Sequence, residues 1–217
     1  MPSISGSPQF SAQVHAKVHI WNTRFGGEDE DRTTVGHAAL QLMEGNNVLK
    51  TLSFRPRTVG TVFPLPAQNF STLAADKAHE ERDPDRTISI PLKQEQVLAM
   101  SQKVDSIKDR IQTGKMLYTL LPGLTPFPLL SVLNDPIALQ ELTRCPFSGL
   151  ELRSQESLEH LRVPEIKGSH CTAAVQETLR AGGIDIPESR VPWRLSPTQM
   201  GDFLANRYPS ANFHEAE

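Results

Sequence analysis

Residues 35–56 read VGHAALQLMEGNNVLKTLSFRP, two short apolar runs on either side of MEGNN. A Gly-Asn pair between such runs is a turn signal, and the stretch predicts a β-hairpin. Its first strand carries an anomaly. His37 follows Gly36 and opens an otherwise apolar run, where a polar side chain needs a partner. A core histidine satisfied by a backbone carbonyl and a histidine held for chemistry both fit. With Gly45 and Asn46 at the turn, Phe54 falls opposite His37, and a one-residue change of register brings Ser53 alongside instead. Ser53 or Gln41 is then the side chain placed to orient the imidazole.

Upstream, Val14, Ala16, Val18 and Ile20 alternate with His15, Lys17 and His19, the period of a half-buried strand. His15 and His19 lie about 13 Å apart at roughly 3.3 Å per residue, too far to share one metal ion, and read as a solvated face. Downstream, residues 55–86 carry mixed charge and weak periodicity. They predict a long irregular connection with one helical turn near LAADKAHEE. RTISIPL and KMLYTLL read as strands. Between them Val97, Met100, Val104, Ile107 and Ile111 recur at helical spacing, so the helix over 94–112 presents one face to a core. Residues 122–166 hold six prolines and broken apolar patches, which suggests an insertion with short helices. Near the end, Ser196 and Pro197 read as the N-cap and first residue of a terminal helix.

The chain of 217 residues fits a single domain over 1–217, with residues 1–12 as a flexible lead. A net charge of −3 gives no basic footprint, so nucleic acid is not an expected partner. No apolar run approaches a membrane span, and MPSISGSPQFSAQ lacks the basic and apolar regions of a secretory signal. The expectation is synthesis and folding in the cytoplasm, with any export left to machinery that reads no cleavable signal. Two cysteines cannot form a disulfide framework, though one bridge between Cys145 and Cys171 stays open. The acidic run EDED at 28–31 lacks the ligand spacing of a calcium loop and reads as solvated. No cofactor is expected.

The second decisive stretch is GSHCTAAVQETLRAGG, residues 168–183. Cys171, Ala174, Val175, Thr178 and Leu179 share one helical stripe that packs inward, so a core role for the cysteine is open. A thiol in a first helical turn also sits in the field of unpaired N–H groups, which favours thiolate. Ser169 is the expected cap. Of the seven histidines, His79, His160 and His214 lie in charged or terminal contexts, and His170 is the cysteine's immediate neighbour and a reserve candidate. His37 is the preferred base.

Taken together, VGHAALQLMEGNNVLKTLSFRP, HCTAAVQETLRAGG and the closing PWRLSPTQMGDFL resemble the circularly permuted branch of the NlpC/P60 papain-like cysteine hydrolases, in which the histidine precedes the cysteine. The resemblance covers the strands of 14–54, the strand and helix from about 87 to 120, and 168–206. It departs from the family at His170, where relatives often have asparagine. It implies an α+β fold, with the Cys171 helix packed on an antiparallel sheet that carries His37. It also implies Cys171 as nucleophile and His37 as base, with Ser53 or Gln41 as third residue. The activity implied is cleavage of amide bonds in peptidoglycan stem peptides by an exported antibacterial effector, for instance one carried by a type VI apparatus into a target periplasm. Its partners would be the peptide or peptidoglycan substrate, an immunity protein and a secretion carrier. A host-directed cysteine protease, deamidase or acyltransferase keeps the chemistry and changes the target. A papain-like interaction module without catalysis is the alternative of another class.

Overall fold

The computed structural model describes residues 13–24, 36–57, 65–119, 167–187 and 195–209. The expected lead of 1–12, the acidic loop, Cys145, His160, His214 and the 122–166 insertion lie outside the described residues.

The fold is α+β. Strands β1 (Val14–Trp21), β2 (His37–Glu44), β3 (Asn47–Leu52) and β6 (Arg86–Pro91) form an antiparallel sheet in the order β3-β2-β1-β6. A second sheet joins β4 (Phe54–Pro56), β5 (Leu65–Asn69), β7 (Met116–Tyr118) and β8 (Lys167–Ser169), with β7 and β8 parallel. Four helices complete the described part: α1 (Leu73–Glu80), α2 (Gln94–Gln112), α3 (Cys171–Ala181) and α4 (Pro197–Arg207).

Strand alternation decides where the core sits. Val18 and Ile20 of β1, Leu40 and Leu42 of β2 and Ile88 and Ile90 of β6 point to one face and are buried there. Helices α2, α3 and α4 cover that face with Met100, Val104, Val175, Leu179, Met200 and Leu204. A fully buried leucine such as Leu179 is worth about 2 kcal/mol in transfer terms. Cys171, Ala174, Val175, Thr178 and Leu179, the stripe expected to face inward, are all buried.

The hairpin holds a one-residue irregularity that matters for the site. Near the turn Glu44 faces Asn47 and Met43 faces Val48, but beyond it Leu42 faces Lys50 and Leu40 faces Leu52, so Leu49 is skipped. Such a bulge reverses which side chains reach each face. Without it, Ser53 would fall on the core side; with it, Leu52 and Phe54 join the core, and Ser53 and Arg55 reach the side of His37.

Three expectations are corrected here. The connection over 55–86 holds β4, β5 and an α1 of eight residues rather than a single helical turn. Thr72 starts that helix, its side chain accepting from the Ala75 N–H at 3.2 Å. His19 is not solvated: it is buried, with Nε2 3.0 Å from Gln41 Oε1 and Nδ1 2.9 Å from Thr87 Oγ1. Because an amide oxygen only accepts, Nε2 carries the proton and Nδ1 accepts from Thr87. The cap of α3 is His170 rather than Ser169: its backbone is extended and its Nδ1 accepts from the Ala173 N–H at 3.2 Å. Ser196 caps α4 as expected, reciprocally with Gln199, and Pro197 is its first residue.

Candidate active site

The site forms at the rim of the first sheet, where β1 ends, β2 begins and β3 passes into β4. Gly36 makes the junction geometrically permissible. Its φ is +76°, and a Cβ there would lie 2.7 Å from the Trp21 carbonyl oxygen and 2.8 Å from the Thr23 nitrogen. Only glycine lets β2 start this close to β1. His37 then lies opposite Trp21 in the ladder, with ring centroids 5.4 Å apart.

His37 is 2% exposed and its Nε2 faces two oxygens, Ser53 Oγ at 3.2 Å and Asp76 Oδ1 at 3.4 Å. Ser53 donates its own proton to Asp76 Oδ1 at 2.5 Å, so its oxygen accepts from His37. Nε2 therefore carries a proton, and Nδ1 is left for the remaining neighbour, the Cys171 thiol. Cys171 and His37 are near enough for each to shift the other's ionisation.

Asp76 comes from α1 and is the one buried residue of that helix. Beyond Ser53 and His37, its Oδ1 accepts from Arg55 Nε at 2.8 Å, and Arg55 Nη1 donates to Glu80 Oε1 at 2.6 Å. Gln41, the other candidate for the third position, does not reach His37; four residues along β2 its side chain is spent on His19. Ser53 does reach it, but as a bridge to Asp76. Sequence reasoning missed Asp76 and also Tyr118. The Tyr118 hydroxyl lies within electrostatic reach of the thiol, and its ring stacks on Phe54 at 5.6 Å.

The electrostatics favour an ion pair. Burial alone pushes the Cys171 thiol up, but hydrogen bonds from His170 and His37 and the charge of His37 bring it well below the ordinary thiol range. Burial pushes His37 down, and the hydrogen bonds to Asp76 and Cys171 raise it above the usual imidazole value. Burial opposes ionisation of Asp76 as well; His37, Ser53 and Arg55 outweigh it and hold the carboxyl below its usual range. Burial raises Tyr118, as does the neighbouring sulfur charge, so its O–H stays a donor.

Helix α3 adds donors. The Ala173 and Ala174 N–H groups are taken by the His170 side chain and carbonyl. The Cys171 amide, at the first helical position, has no acceptor within the helix. A sulfur, a base in a fixed tautomer, a carboxylate behind it and a free amide at the helix start are the parts needed for acyl transfer. Among the described residues no group of three or more His, Cys, Asp or Glu side chains could hold a metal ion, and no helix is long and apolar enough to cross a membrane.

Comparisons of the chain with protein-family models, with curated proteins and with solved structures found no match.

Proposed function

We propose that the protein is a papain-like cysteine hydrolase of amide bonds, with Cys171 as nucleophile, His37 as general base and acid, and Asp76 as the group that orients and supports the imidazole. The observation that supports it most is the buried His37–Ser53–Asp76 line beside Cys171, with Ser53 fixing the Nε2–H tautomer. A merely structural cysteine has no need of this arrangement. The same intact line speaks against an interaction module that has lost catalysis.

In the reaction, His37 Nδ1 takes the proton of Cys171 Sγ, and the thiolate attacks the amide carbon. The C–S bond forms as the carbonyl π electrons move onto oxygen. The developing oxyanion is met by the Cys171 N–H and the Tyr118 O–H. His37 returns its proton to the departing nitrogen, the C–N bond breaks, and a thioester remains. Water, deprotonated by His37, then adds to the thioester carbon, and the sulfur leaves to regain the proton. Asp76 stays ionised throughout.

For the substrate, the resemblance to the permuted NlpC/P60 branch supports peptidoglycan stem peptides as the target, cleaved by an effector exported without a cleavable signal. Purified peptidoglycan treated with the wild-type protein and with Cys171→Ala tests this directly. New amino groups and released fragments with the wild type alone are expected. Equal, null release from both would remove the cell wall as substrate.

A further inference from the structure

One oxygen of Asp76 serves three donors, and they are not served equally. Ser53 Oγ is 2.5 Å from Oδ1, Arg55 Nε is 2.8 Å away, and His37 Nε2 has the longest contact at 3.4 Å. The Arg55 side chain is 5% exposed and is pinned elsewhere too, by Glu80 Oε1 on Nη1 at 2.6 Å and by the Phe70 ring 5.5 Å from its Cζ. Arg55 Nη2 and Asp76 Oδ2 are both buried without a hydrogen-bond partner among the described residues, so Arg55 meets Asp76 through Nε and divides its guanidinium between two carboxylates.

We infer that Arg55 is a positioning residue that shares the Asp76 carboxylate with His37 and so sets how firmly the imidazolium keeps its proton, with Glu80 setting how much of that carboxylate Arg55 takes. The inference rests on the hydrolase reading of Cys171 and His37. A general acid must also release its proton, and a buried carboxylate committed wholly to His37 would make the imidazolium too weak an acid for the leaving nitrogen. A second cation on the same oxygen tempers that pull. The groups facing His37 are Trp21 from β1, Ser53 and Arg55 from the β3–β4 junction, Asp76 from α1 and Cys171 from α3. Among them only Arg55 is a fixed cation, and its charge acts to lower His37.

The test is the His37 titration midpoint, followed by NMR of its ring in the full chain carrying Cys171→Ala, so that no thiolate contributes. Arg55→Met should raise the midpoint by about one pH unit, while Arg55→Lys, which keeps the charge, should leave it near its starting value. Glu80→Gln frees Arg55 for Asp76 and should lower it. A midpoint that falls or stays still in folded Arg55→Met would overturn the inference and make Arg55 a brace for Asp76. Should Arg55→Met fail to fold, Glu80→Gln decides alone, a rise or no change overturning the idea. Failure of the hydrolase reading looks different: an ordinary alkylation profile for the wild-type thiol, whatever the midpoints do.

Discussion

Asp76 Oδ1 lies 3.4 Å from His37 Nε2 with both side chains shut off from solvent. A carboxylate in that place supports the imidazolium and fixes the ring with Nδ1 toward sulfur. Asp76→Asn keeps the shape and removes the charge, so amide hydrolysis should fall roughly a hundredfold or more. The pH at which Cys171 is half-alkylated by iodoacetamide should rise. Unchanged turnover in a folded variant would remove Asp76 from the mechanism.

Tyr118→Phe deletes one hydroxyl and keeps the ring that stacks on Phe54. If the O–H serves the oxyanion, kcat should drop about a hundredfold with little change in KM. Loss confined to KM would make Tyr118 a binding contact instead.

Gly36 and Gly45 both have positive φ, +76° and +58°, but a Cβ at Gly36 would strike backbone and one at Gly45 meets nothing within 4 Å. Gly45→Ala should cost about 1 kcal/mol from conformation alone. Gly36→Ala adds a collision with the Trp21 carbonyl and should cost about 3 kcal/mol or more, and disturb His37 with it. Urea midpoints of the two variants, measured side by side, check the difference; equal losses would contradict the clash.

His19 is held neutral: burial, outweighing its bond to Gln41, lowers it from 6.5 to about 4. The unfolded chain binds a proton there below about pH 6.5 and the folded one does not until about pH 4, so stability is lost as pH falls through this window. The loss amounts to about 3 kcal/mol at most. His37 and Asp76 work differently. The raised His37 value gives stability that is full below about pH 6.5 and lost as pH rises through it, and the lowered Asp76 value gives stability lost only as pH falls below its usual range. Chemical denaturation at pH 7 and pH 4.5 should therefore show a drop that His19→Gln flattens. An equal drop in the variant would assign the acid sensitivity to another group.

Much of the architecture was legible because it is periodic. The alternation of β1, the Gly-Asn turn and the five apolar positions of α2 state their own geometry. Cys171 and His37 stand out in the sequence, one as a thiol at a helix start and the other as a histidine in an apolar strand. Asp76 was not. It sits in LAADKAHEE beside Lys77, where a carboxylate looks like part of a solvated face, and its burial is caused by Ser53, Arg55 and His37, which leave no trace nearby. Thr72 four residues earlier was a usable signal for the helix, though not for the role. Gln41 and His19 erred in opposite senses for one reason. Both belong to the second face of the sheet, and a single strand's alternation cannot tell a face covered by protein from one open to water.

Leu49 is 39% exposed and has little to do as a side chain, yet the facing of the hairpin depends on the ladder passing over it. Were it paired regularly with Leu42, the same two strands would zip without a bulge, and Leu52 and Phe54 would trade sides with Ser53 and Arg55. The apolar core and the candidate site are written on alternate letters of one word, and the bulge sets the reading frame. Losing one residue at the bulge would straighten the ladder and keep both sides as they are, whereas gaining one without a second bulge would exchange the oily side for the polar one and forfeit both at once.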